Sequence, residues 1–498
     1  MSNQENGTAV SGVQFPQTAN FTGIFAPSGI EADVPRLEVI GGAVPMDLAG
    51  AFFRVAPDPQ FPPLAGDDIW FNGDGMVSRF GFGGGTVSLK QRWVRTRKFV
   101  AEREAGKALF GAYRNPLTDD PAVAGMVRST ANTNVIVHAG KLLALKEDSP
   151  PVWMDPETLE TIDPAYTFGG RMTSETFTAH PKIDAQTGEM LAFGYAARGL
   201  CTPDMAYYVI DAQGEIVHEA WFELPYYCMM HDFAFTQDYV VFHVVPIVGS
   251  WERLHARLPH FGFDRGREVF LGVMPRRGQA ADLRWFRAPT CFASHVMNAH
   301  NVGSVIHFDV PTAAGNMFPF FPDTEGAPFD PAAAAARMTR WTVDMAANSD
   351  EIRMAPLADL VGEFPRIDDR FAGLANRHGW QLVQDATKPV DLPGMRSATG
   401  MMMNTLAHID CTTGETDTWW VGPTSSLQEP AFIPRPGSTT EGDGYLVVIE
   451  NRLAENASRL LLFAALELGA GPIATLAIPF RIRPGLHGNW APASALAA

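Results

Sequence analysis

The sequence predicts an all-β protein arranged as a β-propeller, and three observations carry that expectation. Short apolar runs alternate with turns along almost the whole chain. The 46 glycines and 38 prolines, about 17% of 498 residues against roughly 12% in average usage, are scattered between those runs rather than clustered. The second strands of successive hairpins begin near Leu142, Met190, Tyr239 and Ser304, which are 48, 49 and 65 residues apart, and another begins near Tyr445. Each interval holds four strands' worth of sequence, the size of a propeller blade. Seven such units would average about 71 residues and leave room for inserted helices. Finally, several of these hairpins open with a histidine. A two-sheet sandwich array is the alternative that the same pattern allows.

Taken in order, residues 1–20 are polar and expected to be flexible, and residues 21–498 form a single catalytic propeller with cap insertions. The run from Leu37 to Pro57 is β-prone and is followed by a Pro/Gly-rich stretch to Gly75. Phe99, Ala101, Ala105, Ala108 and Leu109, interspersed with Glu and Lys, predict a helix over Arg97 to Arg114. A second short helix is expected from Trp251 to Leu258. Ala332 to Arg337 is alanine-rich, but Trp341-Thr-Val-Asp-Met345 returns to strand alternation. Leu460 to Pro479 is the most apolar segment; Glu467, Gly469 and Gly471 break it into a buried strand pair.

Composition excludes several classes. A net charge of −17 argues against a nucleic-acid partner, which needs a basic surface. Cys201, Cys228, Cys291 and Cys411 lie far apart, a pattern of free thiols in a reducing compartment. The polar N-terminus lacks the features of a signal peptide, so a cytoplasmic protein without stable membrane insertion is expected. Oligomeric state is left open, a homodimer among the alternatives.

The chemistry is concentrated in histidine. His180 lies in Thr176-Phe-Thr-Ala-His180-Pro-Lys-Ile-Asp184, before a turn and the strand Met190–Tyr195. His231-Asp-Phe leads into Tyr239-Val-Val-Phe-His-Val-Val245, and Ser294-His295 leads into the strand after Ser304. His487 stands alone in Pro484-Gly-Leu-His-Gly-Asn-Trp490. The separations are 51, 64 and 192 residues. In a propeller the innermost strand of each blade lines the axis, so equivalent positions in several blades converge on one point. His180, His231, His295 and His487 are therefore the candidate metal ligands. Four neutral imidazoles suit Fe, Zn, Cu or Ni. They leave the metal's charge uncompensated, so nearby carboxylates accepting the other ring N–H are expected. Glu147, Glu363 and Glu441 lie in suitable places.

The motifs His180-Pro-Lys-Ile-Asp, His231-Asp-Phe, His295-x-x-Asn-Ala, Glu363-Phe-Pro-Arg-Ile-Asp and Phe432-Ile-Pro-Arg-Pro-Gly437 resemble, in that order, the carotenoid cleavage oxygenases. Gly50-Ala-Phe-Phe-Arg-Val, Phe71-Asn-Gly-Asp-Gly-Met76 and Met154-Asp-Pro-Glu-Thr-Leu159 extend the likeness from about residue 35 to the end. The resemblance implies a seven-bladed propeller with a helical and loop cap, and four histidines holding non-haem Fe(II) with O2 as co-substrate. It implies that Glu147, Glu363 and Glu441 orient the histidines, and that the methyl of Thr133 crowds one open iron position. Glu441-Gly-Asp-Gly departs from the family's usual acidic pair, which leaves Glu441 the least secure of the three.

Gly111-Ala-Tyr113-Arg-Asn-Pro, with Lys146 just before Glu147, looks like the bacterial lignostilbene dioxygenase branch, in which this tyrosine and lysine hold a 4-hydroxyl. Chemically the pair suits a phenolate, which pushes electron density onto the alkene; a carotenoid polyene would gain nothing from a buried lysine. Strict strand alternation would send Lys146 and Glu147 to opposite faces, so the strand is expected to end or bend there. Phe71 and Phe318 are expected to line the slot for a planar substrate. The expectation is an Fe(II)-dependent dioxygenase cleaving the central C=C of 4-hydroxystilbene-type phenolics into two aromatic aldehydes. An apocarotenoid cleavage oxygenase on the same scaffold is the alternative. A metal-dependent propeller hydrolase would favour carboxylate ligands, and a non-enzymatic scaffold would leave the four histidines without purpose.

Overall fold

The computed structural model describes residues 14–391, 396–397 and 400–496. Antiparallel sheets follow one another along the chain as seven propeller blades. Blade 1 runs outward from Gly488–Pro492 through Gly50–Pro57, Gly75–Gly83 and Thr86–Trp93 to Ala32–Val34. Blade 2 is built from Asn134–His138, Lys141–Leu145, Val152–Met154 and Thr161–Asp163. Blade 3 comprises Lys182–Ile183, Met190–Tyr195, Asp204–Ile210 and Ile216–Glu223, and blade 4 Ala234–Phe235, Tyr239–Val244, Val269–Pro275 and Arg284–Ala288. Blade 5 starts with Phe292–Ala293 and Asn298–Val302, which both pair with Val305–Ala313, and continues through Arg337–Asp344.

Blades 5 and 6 share a strand. Arg353–Ile367 pairs with Arg337–Asp344 through its first half and with His378–Val383 through its second. Thr405–Asp410 and Thr416–Trp420 complete blade 6. Blade 7 places Ser425–Leu427 and Ala431–Pro434 on Gly444–Arg452, followed by Ala457–Ala464, Ala474–Ala477 and Glu38–Gly42. The apolar segment from Leu460 to Pro479 is thus a pair of buried strands, Leu460 opposite Leu476. The ring closes twice: residues 38–42 finish blade 7, and Gly488–Pro492 pairs with Gly50–Pro57 in blade 1.

Alternation explains why the strands stack as blades. Thr86–Trp93 buries every second residue, Val87, Leu89, Gln91 and Trp93. The second strand of a blade, held between two others, is buried on both faces and reads as an unbroken apolar run instead; Met190–Tyr195 is buried throughout. Phe52, Phe80, Val447, Ile449, Leu460 and Leu462 form one core between blades 7 and 1.

The cap is loop-rich, with little helix. Thr96 caps the helix Arg97–Ala105 by accepting from the Phe99 N–H at 3.0 Å. The sequence expectation carried this helix to Arg114. Gly106 ends it instead, adopting φ 69°, a left-handed conformation in which glycine suffers no Cβ clash. The second helix is shorter than expected, Trp251–His255, and residues 331–334 form turns rather than a helix. No described helix is long and apolar enough to cross a membrane. Residues 1–13 of the N-terminal segment expected to be flexible lie outside the described residues. From residue 14 the chain is tied down: Phe15 stacks on Phe21 at 5.7 Å, and Arg483 donates to the Asn20 carbonyl at 2.7 Å.

Phe52 is fully buried and packs on Phe80 at 5.9 Å where the ring closes. Phe52→Ala is expected to cost about 3–5 kcal/mol, seen as an earlier denaturant midpoint; an unchanged midpoint would show that the closure tolerates a cavity.

Candidate active site

Each of the four histidines lies beside an innermost strand. His180 and His231 precede Lys182–Ile183 and Ala234–Phe235, His295 falls between Phe292–Ala293 and Asn298–Val302, and His487 immediately precedes Gly488–Pro492. Blades 3, 4, 5 and 1 therefore each bring one imidazole to the axis. One ligand atom from each histidine lies within 4.8 Å of the others. The Nε2 of His231 is 3.2 Å from that of His180 and 3.0 Å from that of His295.

Three of the rings are fixed by carboxylates on their far side. His231 Nδ1 donates to Glu147 at 2.9 Å, His295 Nδ1 to Glu363 at 2.6 Å, and His487 Nδ1 to Glu429 at 2.9 Å. A carboxylate can only accept, so each of these Nδ1 atoms carries the proton and each Nε2 presents a bare lone pair. Lone pairs aimed at one another across about 3 Å repel unless a cation lies between them. The donor set thus fits a metal, and neutral nitrogen ligands suit a borderline transition ion. Burial by itself would raise the three carboxyls. Their histidine partners overcome that, with Arg114 assisting Glu147 and Arg366 assisting Glu429. Glu147 and Glu429 are held down to about 2, and Glu363 is lowered as well. All three therefore stay ionised and offset the metal's charge.

The carboxylates are held in turn. Tyr195 donates to Glu147 at 2.9 Å, and Arg114 adds a contact at 3.5 Å. Glu429 accepts from the Gly488 N–H at 3.1 Å, and Glu363 from the His295 N–H at 3.3 Å. Phe364, next to Glu363, has φ 57° and stacks on the His295 ring at 5.2 Å. A left-handed phenylalanine costs about 1–3 kcal/mol and persists only where its surroundings impose it. A further clamp joins three ligand loops: Lys182, two residues past His180, pairs at 2.7 Å with Asp232, next to His231. The other Asp232 oxygen accepts from the Val296 N–H, next to His295, at 2.8 Å.

Of the three glutamates read from the sequence, Glu147 and Glu363 contact histidines and Glu441 does not. Glu441 accepts the backbone N–H groups of Arg377 and His378 at 2.7 and 2.8 Å. The reason is hairpin geometry. Ala431–Pro434 pairs antiparallel with Gly444–Arg452, Pro434 opposite Gly444. Glu441 sits in the turn at one end of that hairpin, and Glu429 leads into it at the other end, where His487 lies. The signal for Glu429 was present in Glu429-Pro-Ala-Phe-Ile-Pro-Arg, an acid ahead of the same Pro-Arg motif that follows Glu363. Arg114, Tyr195 and the Lys182–Asp232 clamp were also missed, because their roles depend on contacts between blades.

Above the histidines lies a cavity of about 560 Å³, lined by His231, His295 and His487 together with Thr133, Phe71, Phe318, Tyr113 and Lys146. That volume suits a small-molecule site. The strand leading to Lys146 ends at Leu145, so Lys146 and Glu147 follow in a turn and both reach the cavity. Lys146 Nζ lies 5.0 Å from the Tyr113 ring centre and donates to the Phe71 carbonyl at 3.3 Å. The Phe71 and Tyr113 rings meet edge-on at 5.1 Å. Burial, reinforced by Glu147, pushes the Tyr113 phenol well above its usual range, so it remains a hydrogen-bond donor. Burial pulls the Lys146 ammonium down, against the attraction of Asp148 and Glu147.

Loss of a histidine-orienting carboxylate should weaken metal retention about 10–100-fold. Glu429→Gln is expected to show this loss in metal content after dialysis against a chelator, while Glu441→Gln keeps the wild-type content. Equal losses from the two variants would overturn the assignment of Glu429.

A profile of the retinal pigment epithelial membrane protein family matches residues 25–492. The lignostilbene-alpha,beta-dioxygenase isozyme III of Sphingomonas paucimobilis is 53% identical over 487 residues, covering 97% of this chain and 99% of that one. The isoeugenol monooxygenase of Pseudomonas nitroreducens is 44% identical, covering 94% and 97%. The crystal structure of Pseudomonas brassicacearum lignostilbene dioxygenase superposes with a TM-score of 0.93 at 45% identity, covering 96% of this chain and 100% of that one. With a seven-bladed fold and a four-histidine site already in place, the chain belongs to the retinal pigment epithelial membrane protein family, the carotenoid cleavage oxygenases.

Proposed function

We propose that the protein is an Fe(II)-dependent dioxygenase that splits the central double bond of 4-hydroxystilbene-type phenolics into two aromatic aldehydes. The observation that carries this reading is the placement of Tyr113 and Lys146 side by side in an aromatic slot that also holds three of the four histidines. His180, His231, His295 and His487 would hold the iron, which when bound supplies activation of O2, both of whose atoms end in the two aldehydes. Relatives named for lignostilbene and isoeugenol support the substrate class, since a stilbene or a propenyl phenol of this kind sets a hydroxyl para to the reacting alkene.

The chain's own residues handle the phenol. Tyr113 donates a hydrogen bond to the substrate oxygen. Burial lowers the proton affinity of Lys146 and a phenolate beside Nζ raises it again, so the ammonium and the ionised phenol favour each other. The ring then pushes electron density onto the alkene carbon that must react. Phe71 and Phe318 line the slot, both packed on Phe320, and give it an apolar wall that suits a planar ring and keeps water from the oxyanion. Thr133 lines the slot and donates its hydroxyl to Asn132 at 3.2 Å, so that its methyl would add bulk beside the metal. An apocarotenoid has no phenol to use this pair, and a polyene would offer the buried Lys146 ammonium no acceptor beyond the Phe71 carbonyl.

A 4-methoxy analogue keeps the shape and the double bond but cannot ionise, so it should bind and be cleaved far more slowly. Losing one donor to developing charge in a dry site costs about 3–4 kcal/mol, roughly 10²–10³ in rate. Tyr113→Phe and Lys146→Met should each lower turnover of the hydroxylated stilbene by that order, and Lys146→Met should shrink the hydroxy-to-methoxy ratio. Equal wild-type cleavage of both substrates would refute the phenolate mechanism, and better turnover of apocarotenals would refute the substrate class. Activity removed by a chelator should return with Fe(II) and not with Zn(II); recovery with Zn(II) would refute the choice of metal.

A further inference from the structure

The slot has a second polar wall away from Tyr113 and Lys146, contributed by blades 6 and 7. A relay of side chains ends there, and its direction is fixed from its buried end. Arg54 is fully buried and can only donate; burial draws it down to about 10, still protonated at neutral pH. Its Nε donates to Gln428 Oε1 at 2.6 Å, and the Gly485 N–H donates to the same oxygen at 2.9 Å. With its oxygen pinned by two donors, Gln428 must turn its NH2 to Asn451 Oδ1, 2.7 Å away. Asn451 in turn directs its NH2 to Ser426 Oγ at 3.1 Å. Each amide orientation follows from the one before, so no flip of Gln428 or Asn451 preserves these bonds.

The consequence falls on Ser426. Its oxygen already accepts from Asn451, so its O–H remains to be given, and it bonds to no acceptor among the described residues. Ser426 lines the slot, as does Gln384, whose carboxamide also bonds to no described residue. A buried O–H without an acceptor is unfavourable, and a ligand oxygen placed beside it relieves that. Among the described lining residues the one cation is Lys146, so nothing on the far wall would pair with an anion.

We propose that Ser426 and Gln384 form a second subsite that receives a neutral hydroxyl or ether oxygen on the half of the substrate remote from the phenolate. This rests on the stilbene reading above and adds to it: the enzyme reads both rings, one as an anion and the other as a neutral hydrogen-bond acceptor. It would favour stilbenes oxygenated on both rings over those with a bare or carboxylated second ring.

The test uses 4-hydroxystilbenes that differ only on the second ring: unsubstituted, hydroxylated, methoxylated or carboxylated. In the wild type, a hydroxyl or methoxyl should raise kcat/KM about three- to tenfold over the unsubstituted ring, the worth of one neutral hydrogen bond, and a carboxylate should lower it. Ser426→Ala should bring the oxygenated-to-unsubstituted ratio close to one, and Ser426→Thr, which keeps the hydroxyl, should restore it. Asn451→Asp offers the Ser426 O–H an acceptor and so removes the donor without reshaping the wall; it should abolish the same ratio. A ratio near one in the wild type, or one that survives both Ser426→Ala and Asn451→Asp, would overturn the subsite. Either result would leave the function standing so long as the unsubstituted 4-hydroxystilbene is cleaved. Failure to cleave any 4-hydroxystilbene would overturn both.

Discussion

The structure depends on keeping four imidazoles in a position that none would choose alone. Nε2 lone pairs face one another at 3.0 and 3.2 Å, with His180 and His487 buried and His231 and His295 partly buried. A single helix or sheet could not hold them there, because the rings would rotate away to find donors. The propeller solves this by taking each ring from a different blade and blocking the rotation of three of them from behind with an ionised carboxylate. Those carboxylates are buried too, and each is kept charged by its histidine, helped by Arg114 at Glu147, Arg366 at Glu429 and backbone N–H groups at Glu363. Compression at the centre is therefore balanced by hydrogen bonds that radiate outward through the blades, and the strain visible at Phe364 marks one point where that balance is carried by the backbone.

Much of this was legible in the sequence, for a geometric reason. A ligand that sits just before the innermost strand of a hairpin repeats with the hairpin, so the spacing from His180 to His231 to His295 reports the blade repeat directly. The stop after Leu145 was also foreseeable, since Asp148-Ser-Pro-Pro151 cannot continue a strand. What was hidden depends on pairing partners. A run such as Phe432-Ile-Pro-Arg does not reveal which end of its hairpin faces the axis, so the sequence points to Glu441 where the structure places Glu429. Nor does Arg353–Ile367 disclose that it serves two blades, because the change of partner near residue 361 leaves no mark on local propensity. The helix from Arg97 was overextended because Ala108 and Leu109 continue the apolar spacing past a glycine whose left-handed turn ends it.

The slot is asymmetric in the kind of polarity it offers. One end carries a phenol and an ammonium that favour a charged oxygen, whereas the other ends in amides and a hydroxyl whose hydrogen-bond directions are locked by Arg54. Aromatic rings fill the space between, with Phe71 touching Tyr113 at 5.1 Å and Phe320 at 5.2 Å. Such a wall recognises planarity without recognising position, so the choice of which carbon reacts must come from the polar ends.

The late position of His487 has a consequence for how the centre is made. It enters the chain 192 residues after His295, and with it comes the strand that closes blade 1. At roughly 5–20 residues per second, a ribosome would need about 10–40 s to span that interval. For that time a nascent chain carries three of the histidines without the fourth: Glu147 is already made, Glu363 follows 68 residues after His295, and Glu429 comes 58 residues before His487. Three imidazoles with open positions are attractive to whichever divalent ion is most competitive, not to the one the finished site uses. Fidelity of metal loading is therefore tied to how fast the last two blades emerge and seal the ring, which makes the order of synthesis part of the chemistry of the site.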